Sequence, residues 1–245
     1  MMLENKTALV TGGSGAVGRA IVQAMAAEGC QVLFTYNSDT ESADELCKEM
    51  SDKDLNVTAY QLDVTDPPAV TELAKTVEAN HGPVEILVNN AGAAQVLPFA
   101  MIEEEDWDRI IDVNVKGMFL VTKAFARGMI RKKRGAIVNI GSLAGMRMLE
   151  VPVHYATAKS AVVGFTMSLA RELGRYQVRV NAVAPGMLTD GVSVNVPEKQ
   201  RDEYERYCAL SRQGSPDEVG HLVAFLASDR AGYINGQTIM VDGGI

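Results

Sequence analysis

The chain has 245 residues and is 47% hydrophobic, enough to bury the core of one α/β domain. Its formal charge is −8 and its pI about 5.0, with no basic stripe interleaved with aromatics, which argues against a nucleic-acid partner. No apolar run nears the ~18 residues of a membrane helix, Met1 to Lys6 lacks a signal-peptide pattern, and Cys30, Cys47 and Cys208 are too few and scattered for a disulfide framework, so a soluble, cytoplasmic protein with no membrane partner is expected.

Seven short, β-rich apolar runs are predicted as strands: Thr7 to Val10, Gln31 to Tyr36, Val57 to Leu62, Val84 to Val88, Ala136 to Ile140, Val178 to Val183 and Thr238 to Val241. Helical periodicity fills the intervals, as at Ala16, Val17, Ala20, Ile21, Ala24 and Met25. Near-continuous apolar strands alternating with helices predict an α/β fold, a doubly wound parallel sheet with helices on both faces. No linker or internal repeat interrupts the pattern, so one Rossmann-like domain over residues 1–245 is expected.

The first strand leads into Thr11-Gly12-Gly13-Ser14-Gly15-Ala16-Val17-Gly18 and then a helix. Glycines there let the backbone turn tightly and approach a ligand, and a helix N-terminus favours an anion, so this turn is a dinucleotide-phosphate candidate. The second strand ends Phe34-Thr35-Tyr36-Asn37-Ser38, with no carboxylate for a ribose 2′-hydroxyl before Asp39. That favours NADP(H) over NAD(H), although no arginine stands nearby to grip a 2′-phosphate. Further on, Ser142 ends an apolar run, and Tyr155 and Lys159 fall four apart on a predicted helix. At that spacing a phenol and an ammonium share one face. Alone, such a pair more often lines a solvated helix surface; its place between Ser142 and the glycine turn points to a site.

Together these motifs resemble the short-chain dehydrogenase/reductase family, from Lys6 to Asp242-Gly243-Gly244, and most closely its 3-oxoacyl-(acyl carrier protein) reductases and related polyketide-type ketoreductases. The resemblance implies cofactor contacts from Gly12, Ser14, Gly15 and Val17 in the loop, Asn37, the pair Asp63-Val64 after strand three, and Asn90 and Gly92 in Asn89-Asn90-Ala91-Gly92. It implies catalytic roles for Asn114, Ser142, Tyr155 and Lys159, with Tyr155 and Lys159 also touching the cofactor. Ketone reduction builds negative charge on the carbonyl oxygen, which needs a donor and then a proton. Tyr155 would supply the proton, its pKa (ordinarily ~10) lowered by the neighbouring ammonium and the oxidised nicotinamide. Ser142 would orient the carbonyl, Lys159 would hold the nicotinamide ribose, and Asn114 would hold a water relaying protons to Lys159.

Three departures stand out. Ala16 replaces the loop's second glycine, Gly15 stands where NADP-using members often carry a base, and Thr189 after Pro185-Gly186 comes one residue early, so that either Thr189 or the backbone of Leu188 would contact the carboxamide. The segment 187–213, helix-compatible from Glu198 to Tyr207, is expected to be a lid over the substrate. Met146, Met148, Leu149, Val151 and His154 flank the other side, an apolar wall suiting an acyl chain, with a structural role for His154. Arg131-Lys132-Lys133-Arg134, ending a long helical segment, and Arg175 suit helix C-termini, or docking of an acidic acyl carrier protein. By family habit a homotetramer, or dimer, is expected, with helices Trp107 to Met129 and Ala156 to Leu173 covered by partners. The leading expectation is NADPH-dependent reduction of a 3-oxoacyl thioester. An NAD(P)-dependent dehydrogenase of another alcohol and a non-catalytic cofactor-binding subunit remain open.

Overall fold

The computed structural model describes residues 1–245, the side chain of Asn195 excepted. The apolar runs become β1 (Thr7–Val10), β2 (Gln31–Tyr36), β3 (Val57–Gln61), β4 (Ile86–Asn89), β5 (Gly135–Ile140), β6 (Val178–Pro185) and β7 (Thr238–Val241). They form one sheet in the order β3-β2-β1-β4-β5-β6-β7, every neighbouring pair parallel. The helices are α1 (Ala16–Ala27), α2 (Thr40–Ser51), α3 (Pro67–His81), α4 (Glu104–Ile111), α5 (Met118–Lys132), α6 (Val153–Leu173), α7 (Glu198–Tyr207) and α8 (Pro216–Ala227). Among the described residues, no helix is long and apolar enough to cross a membrane.

The strands read as continuous apolar runs because both faces are covered. Ala8, Val10, Val32, Phe34, Ile86 and Val88 pack with α1, α2 and α8. Their alternates Leu9, Leu33 and Leu87 pack with α3, α5 and α6 on the other face. Several helix starts are written locally. Asp39 accepts from Ser42 N (3.0 Å) and Asp66 from Ala69 N (3.1 Å) with Pro67 following, while Ser215 and Glu218 form a capping box. Such caps contribute about 1 kcal/mol each. By contrast α1 starts at Gly15 with no side-chain cap.

The sheet grows outward from β1 through β2 to β3, then resumes on the other side of β1 with β4. This reversal opens a crevice at the carboxyl ends of β1 and β4, the place where doubly wound sheets hold ligands.

Candidate functional site

Two glycines of the first loop are required by space. Gly12 has φ +64, and a Cβ on it would lie 2.9 Å from Ala91 Cα. One on Gly18 would lie 2.1 Å from Gly12 O. Gly15 differs: its Cβ would meet nothing nearer than 3.7 Å, so a side chain fits there. The loop is locked to the turn after β4. Thr11 Oγ1 accepts from the amides of Asn90 and Ala91 (3.0 Å each), and Asn90 Nδ2 donates to Thr11 O (3.0 Å) and Gly12 O (2.9 Å). Asn90 lines the cleft, but its amide is spent bracing the loop. The first amides of α1 have no side-chain acceptor, an arrangement that suits an anion.

The cleft, about 340 Å³, gathers the remaining candidates: Ser14, Gly15, Val17, Asn37, Gly92, Asn114, Ser142, Tyr155, Lys159 and Leu188 all line it. A continuation of about 490 Å³ at the end of β2 is lined by Asn37, Asp63 and Val64. Asp63 holds its turn by accepting from Thr65 N (2.8 Å) and Thr65 Oγ1 (2.7 Å). Asp39, the first acid after β2, caps α2, and that hydrogen bonding from Ser42 holds its carboxyl below the usual range. One expectation is corrected: the fold brings Arg109 of α4 to this continuation, where the sequence around β2 shows no arginine. Nothing in the local sequence signals it, because α4 follows β4.

Ser142 follows β5 and opens a tight turn, its Oγ accepting from Ala144 N (3.1 Å). That turn presses on α6 so closely that a Cβ on Gly145 would lie 2.5 Å from Lys159 C. Gly145 thus lets the turn that carries Ser142 lie against α6, which carries Tyr155. Lys159 Nζ lies 5.7 Å from the Tyr155 ring centroid and donates to Ile140 O (3.1 Å). Burial dominates both groups. It raises the Tyr155 phenol, opposed only by the Ser142 hydrogen bond, and pushes the Lys159 ammonium down to about 8. Burial and Ser142 set the direction of the phenol, while the ammonium, itself buried, is turned to a carbonyl.

Asn114 sits in a six-residue π-helical turn, Asp112–Gly117, between α4 and α5. Its Nδ2 donates to Ala93 O (2.8 Å) and Ile110 O (2.9 Å), while its Oδ1 is buried without a partner. A Cβ on Gly92 would lie 2.8 Å from that Oδ1 and 3.5 Å from Lys159 Nζ, so both groups face the space that Gly92 leaves open. An unmatched buried acceptor costs about 1–3 kcal/mol, which marks a place for a donor such as water.

The family model described as Enoyl-(Acyl carrier protein) reductase matches residues 13–245. The 3-oxoacyl-[acyl-carrier-protein] reductase FabG of Thermotoga maritima is 38% identical over 245 residues, covering 100% of this chain and 99% of that protein. A short-chain dehydrogenase/reductase structure from Serratia marcescens superposes with a TM-score of 0.92 at 33% identity, covering 100% of this chain and 99% of that one. The chain belongs to the short-chain dehydrogenase/reductase family. FabG of Escherichia coli is similar too, 37% identical over 246 residues and covering 100% of this chain.

Short-chain dehydrogenase/reductases are oxidoreductases that typically bind a nicotinamide cofactor, and these residues fit one. Side chains at Gly12 or Gly18 would clash within the glycine turn, and Asn114 keeps a buried acceptor free beside Lys159. In this short-chain dehydrogenase/reductase Leu188 lines the cleft while Thr189 is exposed outside it. Leu188 N donates to Ser193 Oγ (3.1 Å), so its amide already has an acceptor.

The segment 187–213 carries α7 where Glu198 to Tyr207 predicts a helix. It is fastened at Tyr204, whose hydroxyl donates to Asp242 O (2.9 Å). A Cβ on Gly186 would lie 2.1 Å from that hydroxyl, so only glycine admits the phenol. Met146, Met148 and Leu149 are exposed, as are Val192 and Val194 of the segment. His154 is fully buried and forms no part of this apolar rim.

The basic cluster divides. Arg131 pairs with Glu78, and Arg134 with Asp229 (3.2 Å) and Glu85 (3.8 Å). Lys132 and Lys133 have no ion pair among the described residues, and Arg175 stacks over Tyr176 at 4.9 Å. The expected single helix from Glu103 is interrupted by the π turn, and α6 stops at Leu173, one short turn before Arg175. Lys133 and Arg175 precede β5 and β6, at the end of the strands opposite Tyr155.

Proposed function

We propose that this short-chain dehydrogenase/reductase reduces a 3-oxoacyl thioester, carried on an acyl carrier protein, to the 3-hydroxyacyl thioester with NADPH. The observation that carries this reading is the convergence of Ser142, Tyr155 and Lys159 beside the space at Gly92, below an exposed apolar rim. The likeness to FabG reductases supports the substrate class.

The hydride comes from the reduced nicotinamide when it is bound. Gly12, Ser14, Gly15 and Val17 would hold its phosphates, Asp63 and Val64 its adenine, and Leu188, its amide already engaged by Ser193, would meet the carboxamide through its backbone carbonyl. Asn37 leaves the end of β2 without a carboxylate and Asp39 is engaged as a cap, which supports NADP over NAD. Ser142 and Tyr155 donate to the substrate carbonyl oxygen, stabilising the developing charge. Because burial raises the phenol, Tyr155 stays protonated at neutral pH, the form that can give its proton to that oxygen. Lys159, held at about 8, both carries and releases a proton near neutrality and restores the phenol. Asn114 Oδ1 holds the water that reprotonates Lys159 from solvent. The chain works as one domain in the cytoplasm, segment 187–213 serves as its lid, and it assembles as a homotetramer.

The test is oxidation of NADPH, and of NADH, by the purified protein with an acetoacetyl thioester. Turnover with preference for NADPH is expected, and Tyr155→Phe should lower kcat by about 10²–10⁴-fold with cofactor affinity retained. A wild type that binds NADPH but reduces no ketone would instead identify a non-catalytic subunit.

A further inference from the structure

We propose that His154 is a positioning residue for Tyr155, holding the first turn of α6 in register with the loop after β4 through Gln95 and Asp106. The inference rests on the reductase reading only for its kinetic consequence. Pro152 opens α6 without a side-chain cap, which leaves the first amides of the helix needing acceptors. Tyr155 N finds one in the neighbouring imidazole: it donates to His154 Nδ1 at 3.0 Å. With Nδ1 accepting, Nε2 carries the ring proton and faces Gln95 Oε1 at 3.4 Å. Gln95 Nε2 in turn donates to Asp106 Oδ1 (2.7 Å), and Asp106 Oδ2 accepts from Glu103 N (3.2 Å) in the capping box of α4.

The chain of contacts therefore joins three elements to the backbone nitrogen of the tyrosine that meets the substrate. It works only while His154 is neutral. Protonation would remove the acceptor and set a cation at a helix N-terminus, where it is disfavoured. The surroundings favour the neutral ring: His154 is fully buried, and burial lowers its pKa below the ordinary 6.5, with Arg109 acting the same way and Asp106 and the Pro152 backbone opposing. The loop from Ala91 to Pro98 adds no titratable side chain, and on α6 itself the adjoining titratable group is Tyr155.

Two substitutions separate positioning from simple packing. Asparagine carries Oδ1 on Cγ, the bonding position of Nδ1, so His154→Asn keeps an acceptor that cannot titrate. His154→Leu removes it. His154→Leu should lose about tenfold or more in kcat with NADPH affinity within about twofold, while His154→Asn stays within about twofold of wild type. The wild-type kcat should fall as pH drops through the pKa of His154, and that limb should vanish in His154→Asn. With tyrosines labelled by ¹⁵N, the Tyr155 amide shift should titrate in wild type and stay flat in His154→Asn. If His154→Leu fails to fold, Gln95→Leu takes its place, with a smaller loss of kcat at unchanged NADPH affinity. Equal impairment of the Leu and Asn variants, undiminished kcat in the Leu variant, or an unchanged acid limb in the Asn variant would overturn the proposal. A wild type that reduces no 3-oxoacyl thioester sinks the reductase reading alone; the amide titration then decides, and a flat wild-type amide rejects the role of His154.

Discussion

A buried ammonium without a carboxylate beside it is costly, and Lys159 is such a group: 6% exposed, with a backbone carbonyl as its hydrogen-bond acceptor. It binds a proton less readily in the folded protein than in the unfolded chain. Its contribution to stability is therefore full above the ordinary value of 10.5 and is lost as pH falls through about 8. At neutral pH, Lys159→Met should stabilise the fold by about 1–4 kcal/mol while abolishing turnover. Calorimetry at pH 7 checks this, and a melting temperature equal to or below wild type would refute it. The same burial decides Tyr155. Its spacing to Lys159 is legible in the sequence, but the sign of its pKa shift is not, because depth is a property of the assembled layers. His154 shows the same limit: adjacency to Tyr155 is visible in the sequence, whereas its contact with Gln95 depends on how the loop after β4 meets α6.

Among the elements, the π turn at Asp112–Gly117 has a specific packing requirement. A Cβ on Gly117 would lie 2.6 Å from Val64 Cγ2, the side chain that lines the continuation of the cleft. Gly117→Ala should destabilise the protein by about 1–3 kcal/mol and weaken NADPH binding. Adding Val64→Ala should restore much of the stability, and denaturant unfolding of the single and double variants measures that coupling. Purely additive effects would mean the two do not touch. The strands were readable because burial on both faces makes them apolar throughout, and their edges moved by no more than two residues. Asp112 to Gly117 was not readable as a π turn. Its residues continue an ordinary helical pattern, and the widening shows only in where Asn114 ends up pointing. Likewise Arg109 enters the site by topology, across the crevice between β1 and β4.

At the scale of the whole molecule, net charge and topology pull the docking surface in one direction. On a chain of charge −8, Lys132 and Lys133 remain without ion pairs among the described residues at the end of α5. Yet Lys133 and Arg175 stand at the far end of the strands from Tyr155, roughly 20 Å away for a six-residue strand. Docking of a carrier at those cations would need a second protomer to bring them to a pocket. Lys133→Glu with Arg175→Glu should raise KM several-fold for a carrier-bound substrate and leave KM for a small thioester unchanged; equal effects on both would remove docking from consideration. Tyr204 adds a consequence for the end of the chain. Its hydroxyl donates to Asp242 O beside Gly186, so the segment that follows β6 is tied to the residues that follow β7, and whatever shifts one end of that tie shifts the other.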